Sequence, residues 1–389
     1  GEWPTADSPE GSVRLLTGRT GDAICLHRQI AYAGGMRVAI GTRKGLWIAT
    51  GDQNGWEVSQ PLKQMAEFAS VAWVPRDPAS PPRLVVGARS WFWGPAVLTS
   101  DDDGATWTEP STGAIAFPEQ AGAAVHRIWS LASDSRVPGR VWAGVEPHSL
   151  WRSDDHGQSF TLNQDLWDHP HRTEWLPGNG GAAVHTIMPR TDASMVIAMS
   201  TGGVYRSADS DSGWEPANQG IRVDFAPDPY PAYGQCVHRI AVDAVDQQRI
   251  YAQNHGGVFR SDDGGTSWVS ITEGLPADFG FVVLAHPTVA DRVWVIPIDG
   301  GTMFPPEGRL RLWQSDDAGA TWRAVGDGLP DDHYASVMRD AAHAMDVDGT
   351  TAIAFGTRNG SVYVSLDDGR TFAQVASHLP DVLSVRICA

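Results

Sequence analysis

The sequence predicts an all-β chain, a seven-bladed β-propeller of four-stranded blades, and three observations lead there. The first is a repeat. Ser100-Asp-Asp-Asp-Gly-Ala-Thr-Trp107 returns as Ser153 to Phe160, Ser261 to Trp268, Ser315 to Trp322 and Ser365 to Phe372, with degenerate copies ending at Trp56 and Trp214. The closing aromatics fall at 56, 107, 160, 214, 268, 322 and 372, and an even period of that size marks a repeat architecture. The second is a common strand pattern inside each unit. The third is composition: 42 glycines and 26 prolines among 389 residues require frequent turns, and no helical periodicity competes with them.

The fifth unit shows how each element arises. Val237-His-Arg-Ile-Ala-Val242, Arg249-Ile-Tyr-Ala-Gln253 and Gly257-Val-Phe-Arg260 read as three short strands. The Ser-Asp-Asp-Gly turn follows, and Ser267-Trp-Val-Ser-Ile271 makes a fourth strand. Four strands with glycine-rich turns per fifty-odd residues is the pattern of a propeller blade. Within the turn, Ser and Asp side chains can bond the backbone, Gly supplies positive φ, and the aromatic packs between sheets. A calcium loop built on Asp101, Asp102 and Asp103 would lack the twelve-residue spacing and closing Glu of such sites.

These boxes resemble the Asp-box, or bacterial neuraminidase repeat, of a propeller superfamily that includes sialidases, xyloglucan hydrolases, sortilin-type receptors and a photosystem assembly factor. The resemblance covers about residues 36–389. It implies a propeller, sialidase-like or glycosyl-hydrolase relatives, and either catalysis or binding. Sialidases also carry an Arg-Ile-Pro motif, absent here, and six blades rather than seven. The expectation is therefore not a typical sialidase.

The termini suggest how the ring closes. Met36-Arg-Val-Ala-Ile40 matches a second strand, so the first unit lacks its innermost one. Leu383-Ser-Val-Arg-Ile387 is expected to pair beside it, closing the ring with the C-terminal strand and leaving no open edge. Residues 1–35 then form an N-terminal extension outside the repeat, and 36–389 the propeller.

Charge and composition exclude several functions. Lys and Arg total 29 against 46 Asp and Glu, a net of −17, which repels polyphosphate backbones, so no nucleic-acid partner is expected. No apolar run reaches the length of a membrane span, so no membrane partner is expected either. Three scattered cysteines imply no disulfide framework. The first residues lack a secretory apolar core, and the expected location is cytoplasmic. Oligomeric state is left open.

In an up-and-down blade, the start of strand one, the end of strand two and the inter-blade linkers share one face. Aligning units places His126, His185 and His238 at equivalent strand-one positions. At the end of strand two it places Arg43, Arg89, Glu146, Ser200, Asn254 and Arg358. Three guanidiniums, Arg43, Arg89 and Arg358, would suit a carboxylate or phosphate, and sialidases bind their substrate carboxylate with an arginine triad. The alternative is that each pairs with an acid and stitches blades. The three imidazoles would hold a single divalent metal ion, zinc or iron, or act as acid and base. Hydrogen-bonded packing is the plainer reading. His255 is a further candidate at that rim.

Long linkers supply more. Segment 161–183 is rich in Trp, His and acid, 215–235 carries Asp224, Asp228, Tyr230 and Tyr233, 298–309 includes Glu307, and Arg89–Ala96 brings Trp91, Phe92 and Trp93 together. Aromatic platforms suit sugars. Glycoside cleavage needs carboxyl groups, or a tyrosine helped by a glutamate. Glu146 is the best placed because it ends a strand, with Glu119, Asp165, Asp224, Asp228 and Glu307 behind it.

The expected function is a glycosidase-type hydrolase acting on an anionic or sugar-like small molecule. Glu146, His185 and His238 would be catalytic, and Arg43, Arg89, Arg358, Asn254, His255 and Trp93 would bind. The alternatives are a metal-dependent enzyme centred on His126, His185 and His238, or a non-catalytic propeller gripping a peptide or protein.

Overall fold

The computed structural model describes residues 35–77, 80–108, 114–178 and 180–388. The extension expected at 1–35 lies outside them apart from Gly35. The described residues form small antiparallel sheets, with a single short α-helix at Gln164–Trp167.

We number only the first strand of each sheet. A three-stranded sheet runs β1 (Ala66–Val74), Arg83–Ser90 and Gly94–Ser100, and Thr108 bridges Thr99 beside it. Four-stranded meanders begin with β2 (Arg127–Ser133), β3 (Val184–Pro189), β4 (Val237–Val242) and β5 (Gly280–Ala285). An eight-stranded sheet comprises a meander from β6 (Val337–Val347) and another from β7 (Val382–Cys388), joined by one parallel bridge, Asp340 to Ser384. The C-terminal strand β7 pairs antiparallel with Met36–Thr42, from Arg37 opposite Cys388 to Thr42 opposite Val382. The N-terminal sheet therefore takes its first strand from the other end of the chain.

Second strands such as Met195–Met199 and Val293–Pro297 are buried throughout, because a neighbouring sheet covers each face. Their sequences accordingly read as continuous apolar runs rather than alternations. Aromatics from the repeat turns cross between sheets. Trp268 Nε1 donates to the Ala217 carbonyl and Trp322 Nε1 to the Ile271 carbonyl, both at 2.8 Å.

The repeat turn is a closed hydrogen-bond cage. Ser100 Oγ accepts from the Gly104 N–H at 2.8 Å and donates to Asp102 Oδ1 at 2.8 Å. Asp102 in turn accepts from the Thr106 N–H and hydroxyl at 2.8 and 2.6 Å. The same bonds recur from Ser261, Ser315 and Ser365. Asp103 and Gly104 both have positive φ, 55° and 85°, so glycine belongs at the second position. The cage uses both carboxylate oxygens of Asp102 internally, as a staple would.

These bonds make stability pH-dependent. The Thr106 and Thr321 hydroxyls hold Asp102 and Asp317 below the usual carboxylate value, and N–H groups of Ser212 and Asp211 hold Asp209 at about 2. A carboxylate with a depressed folded pKa contributes fully above its unfolded value and loses that contribution as pH falls through the folded one. The thermal midpoint, followed by circular dichroism, should fall steeply between pH 3.8 and about 2. Asp102→Ala should lower it at neutral pH and flatten the acid slope; an unchanged profile would deny the staples that role.

Candidate functional site

In every sheet, β1 to β7 start at the end where the second strand finishes; we call this end the rim. Near that start each first strand slips register, between Phe68 and Ser70, Ile128 and Ser130, Val184 and Thr186, Val237 and Arg239, Gly280 and Val283, and Val337 and Ala342. In β7 the slip leaves Leu383 unpaired. A bulge frees one residue from the ladder and re-aims its side chain. Ala69, Trp129, His185, His238 and Phe281 occupy these places. Trp129 meets His185 edge-on at 5.1 Å and His238 meets Phe281 at 4.7 Å, so re-aimed side chains of neighbouring sheets touch.

This register corrects two expectations. Trp129, not His126, shares the position of His185 and His238; His126 is exposed, and its N–H donates to the Glu146 carbonyl at 2.8 Å. Likewise Asn254 lies opposite Val237 as Val145 lies opposite Ile128, so His255 occupies the place of Glu146. Asn254 is buried and holds its turn, donating to the Arg222 carbonyl and accepting from the Gly256 N–H. The first misalignment arises because Val125-His-Arg-Ile128 repeats the letters of Val184-His-Thr-Ile187 and Val237-His-Arg-Ile240 three residues out of register. The trio His126, His185 and His238 therefore does not assemble. His185 Nε2 is hydrogen-bonded to the Ser200 hydroxyl, and His238 instead groups with Cys236 and His255.

The arginine arc also resolves differently. Arg43 and Arg358 both reach Asp381, at 3.3 and 3.1 Å, and Arg43 also reaches Glu67 at 3.2 Å. These two stitch sheets together. Arg89 is exposed and stands opposite Glu67 in the ladder. Between the first strands lie further guanidiniums that the sequence reading did not single out, among them Arg127 and Arg339. Arg127 pairs with Glu67 and lies over the Trp129 ring at 4.2 Å. Arg339 is 8% exposed and lies against Phe281 at 5.1 Å and Trp129 at 5.9 Å. Its Nε has no hydrogen-bond partner, and no carboxylate among the described residues forms an ion pair with it. Asp340, next in sequence, is turned to Arg386 at 2.5 Å. Burial lowers the Arg339 pKa to about 10. A usable signal was present: Val-x-Arg opens both β4 and β6, at Arg239 and Arg339.

Glu146 ends the second strand Val141–Glu146, and its Oε2 accepts from Trp129 Nε1 at 2.8 Å. It forms no ion pair among the described residues, unlike Glu67, Asp381, Asp224 and Glu307, which pair with arginines. The glycines at the end of linker 161–183 explain themselves here. A Cβ on Gly181 (φ 87°) would lie 2.8 Å from Glu146 Oε2, and one on Gly180 would lie 2.7 Å from Arg339 Nη2. Only bare backbone can lie this close to both groups. His185 and His238 are fully enclosed; burial, then the charge of Arg339, pushes both pKa values well down. Both imidazoles are neutral at pH 7.

Apolar side chains gather at the same end. Of twelve exposed large hydrophobic residues among the described residues, nine lie at the rim, among them Trp91, Phe92, Trp93, Phe225, Tyr230 and Tyr334. Trp93 belongs to the turn between Arg83–Ser90 and Gly94–Ser100. Tyr233 donates to Glu174 at 2.6 Å, a tyrosine paired with a glutamate, and stacks on His171.

No protein-family model matches the chain. Over 262 residues it is 26% identical to an oligoxyloglucan-reducing end-specific xyloglucanase of Emericella nidulans, covering 60% of this chain and 30% of that one. Over 200 residues it is 28% identical to a xyloglucanase of a Paenibacillus species, covering 47% and 18%. The chain thus spans less than a third of the length of these curated relatives. Among solved structures, the periplasmic gluconolactonase PpgL of Pseudomonas aeruginosa aligns with a TM-score of 0.56 at 14% identity, over 91% of this chain and 99% of that one. A YCF48 protein bound to a D1 peptide aligns at 0.53 and 16% identity, over 87% and 86%. At these identities the likeness is one of fold, a propeller-like set of small antiparallel sheets.

Proposed function

We propose that the chain is a glycosidase-type hydrolase whose substrate is a saccharide bearing an acidic group, bound at the rim against Arg339. The observation that carries this reading is the buried guanidinium with no carboxylate partner. An uncompensated buried charge costs several kcal/mol, and an anionic ligand supplies the missing partner through a planar, two-pronged set of donors. Glu146, which forms no ion pair among the described residues and ends a strand at the rim, serves as general acid toward the glycosidic oxygen. The exposed aromatics give sugar rings an apolar platform, and the partial similarity to xyloglucanases supports glycoside chemistry.

Seven Asp-box blades in one closed ring complete the proposal. Each first strand contacts the next, and β7 contacts both β6 and β1, which supports closure. A second reading, a non-catalytic propeller gripping a peptide, is favoured by the fully exposed Trp91 beside Phe92.

The test is release of reducing ends from uronate-containing oligosaccharides and from neutral xyloglucan oligosaccharides, run side by side. The acidic substrates should be cleaved faster. Tight binding without turnover would favour the non-catalytic reading, and equal rates on both sets would remove Arg339 as the determinant.

A further inference from the structure

A second chemistry lies in space beside Arg339, on one hairpin. Cys236 immediately precedes β4, His238 is the bulged residue within it, and His255 follows the paired strand Ile250–Asn254. The pairing of Val237 with Asn254 brings all three to the rim end of one sheet. We propose that Cys236, His238 and His255 bind one borderline-soft divalent cation of the zinc type, with a fourth coordination position left open.

Four observations carry this. First, one ligand atom from each of the three residues lies within 4.8 Å of the other two. A tetrahedral ion with bonds of about 2.0–2.3 Å holds such atoms about 3.3–3.7 Å apart, so closing the set takes side-chain adjustments of about an ångström. Second, the ligand types agree: one thiolate and two imidazoles suit zinc, while hard ions that need oxygen donors gain nothing here. Third, His238 is already oriented for the task. Its Nδ1 lies 2.6 Å from the Gly280 carbonyl oxygen, which fixes the proton on Nδ1 and leaves the Nε2 lone pair free. A carbonyl behind the distal nitrogen is the usual support for a metal-bound imidazole.

Fourth, the surroundings supply an apolar shell with one open side. Phe279 lies 5.1 Å from His238 and 5.2 Å from His255, Phe281 lies 4.7 Å from His238, and Phe225 lies 5.6 Å from His255. Cys236 and His238 are buried whereas His255 is exposed, so an ion can enter past His255. Arg339 is the opposing influence, a fixed positive charge nearby. The Cys236 thiolate offsets it, and the open position beside a guanidinium favours an anionic fourth ligand over water.

This site stands apart from the hydrolase reading, because its test reads the metal and not glycoside cleavage. Tag-free protein would be kept reduced, stripped with a chelator and dialysed. It would then be titrated with Zn²⁺ against a chromophoric competitor, with bound metal counted by plasma mass spectrometry. One zinc per chain is expected. Cys236→Ser and His255→Gln should each weaken binding by at least the roughly 100-fold that loss of a supporting group around a metal site can cost. Co²⁺ should give a thiolate-to-metal charge-transfer band that Cys236→Ser removes. Because His255 is exposed, His255→Gln should keep the parent's thermal midpoint, which separates lost ligation from lost folding. Less than equimolar uptake, uptake unchanged in both variants, or a cobalt complex without the thiolate band would overturn the site.

Discussion

Arg339→Met is expected to make the chain more resistant to heat and at the same time insensitive to an acidic ligand. The guanidinium is enclosed by Trp129, Phe281 and the backbone of Gly180, with Nε unbonded and Asp340 committed to Arg386. Among the described residues only the faces of two aromatic rings and the nearby Cys236 and Asp340 offset its dehydration, and none is an ion-pair partner. Replacing buried ionic groups by apolar side chains of similar length often stabilises by about 1–4 kcal/mol, and methionine can follow the same path across the two aromatic rings. The lost bonds to a carboxylate ligand would cost about 1.5–3 kcal/mol each, or about a tenfold to hundredfold rise in KM. Arg339→Lys should keep part of the affinity, since it retains the charge but not the fork. Thermal unfolding and initial rates on a uronate oligosaccharide check both halves. A destabilised Arg339→Met with unchanged KM would make the residue a structural element and remove the main support for an acidic substrate.

Glu146→Gln should lower kcat on the same substrate by about 10²–10⁴, the usual range for loss of a positioned acid or base, with KM nearly unchanged. The amide keeps an oxygen to accept from Trp129 Nε1, so the side chain stays where the carboxylate was and the fold is preserved. Only the capacity to transfer a proton is removed. If kcat is unaffected, Glu146 merely anchors the Trp129 ring. If the variant instead unfolds, the bond to Trp129 was structural and the carboxylate carried more than chemistry.

Much of the architecture was legible because it is local and repeated. The Ser-Asp-Gly boxes announce themselves, since each cage closes within seven residues, as from Ser100 to Thr106. The apolar second strands and the pairing of β7 with Met36–Thr42 followed from strand pattern and spacing. Glu146 was legible too, because it ends a strand cleanly before Pro147. The histidine and arginine sets were not. His126 and His185 look equivalent as letters, yet the ladder places His126 three residues before the bulged position, which Trp129 holds. Arg43 and Arg358 look like ligand arginines, yet both turn to Asp381, whose position in space no spacing announces.

Residue order alone specifies the all-β class, the period, the turn chemistry and the end of the chain that supplies the missing strand. These depend on hydrogen bonds and apolar patterns spanning a few residues, and such terms are written directly in residue order. Which side chains meet at the rim is fixed by packing between sheets. That choice turns on single-residue bulges, which flip a side chain between ladder and interior. It also turns on which of 27 arginines finds an acid across a sheet boundary. Arg339 was passed over because Asp340 bonds Arg386, and a charge left without a partner becomes visible only when all its neighbours are in place.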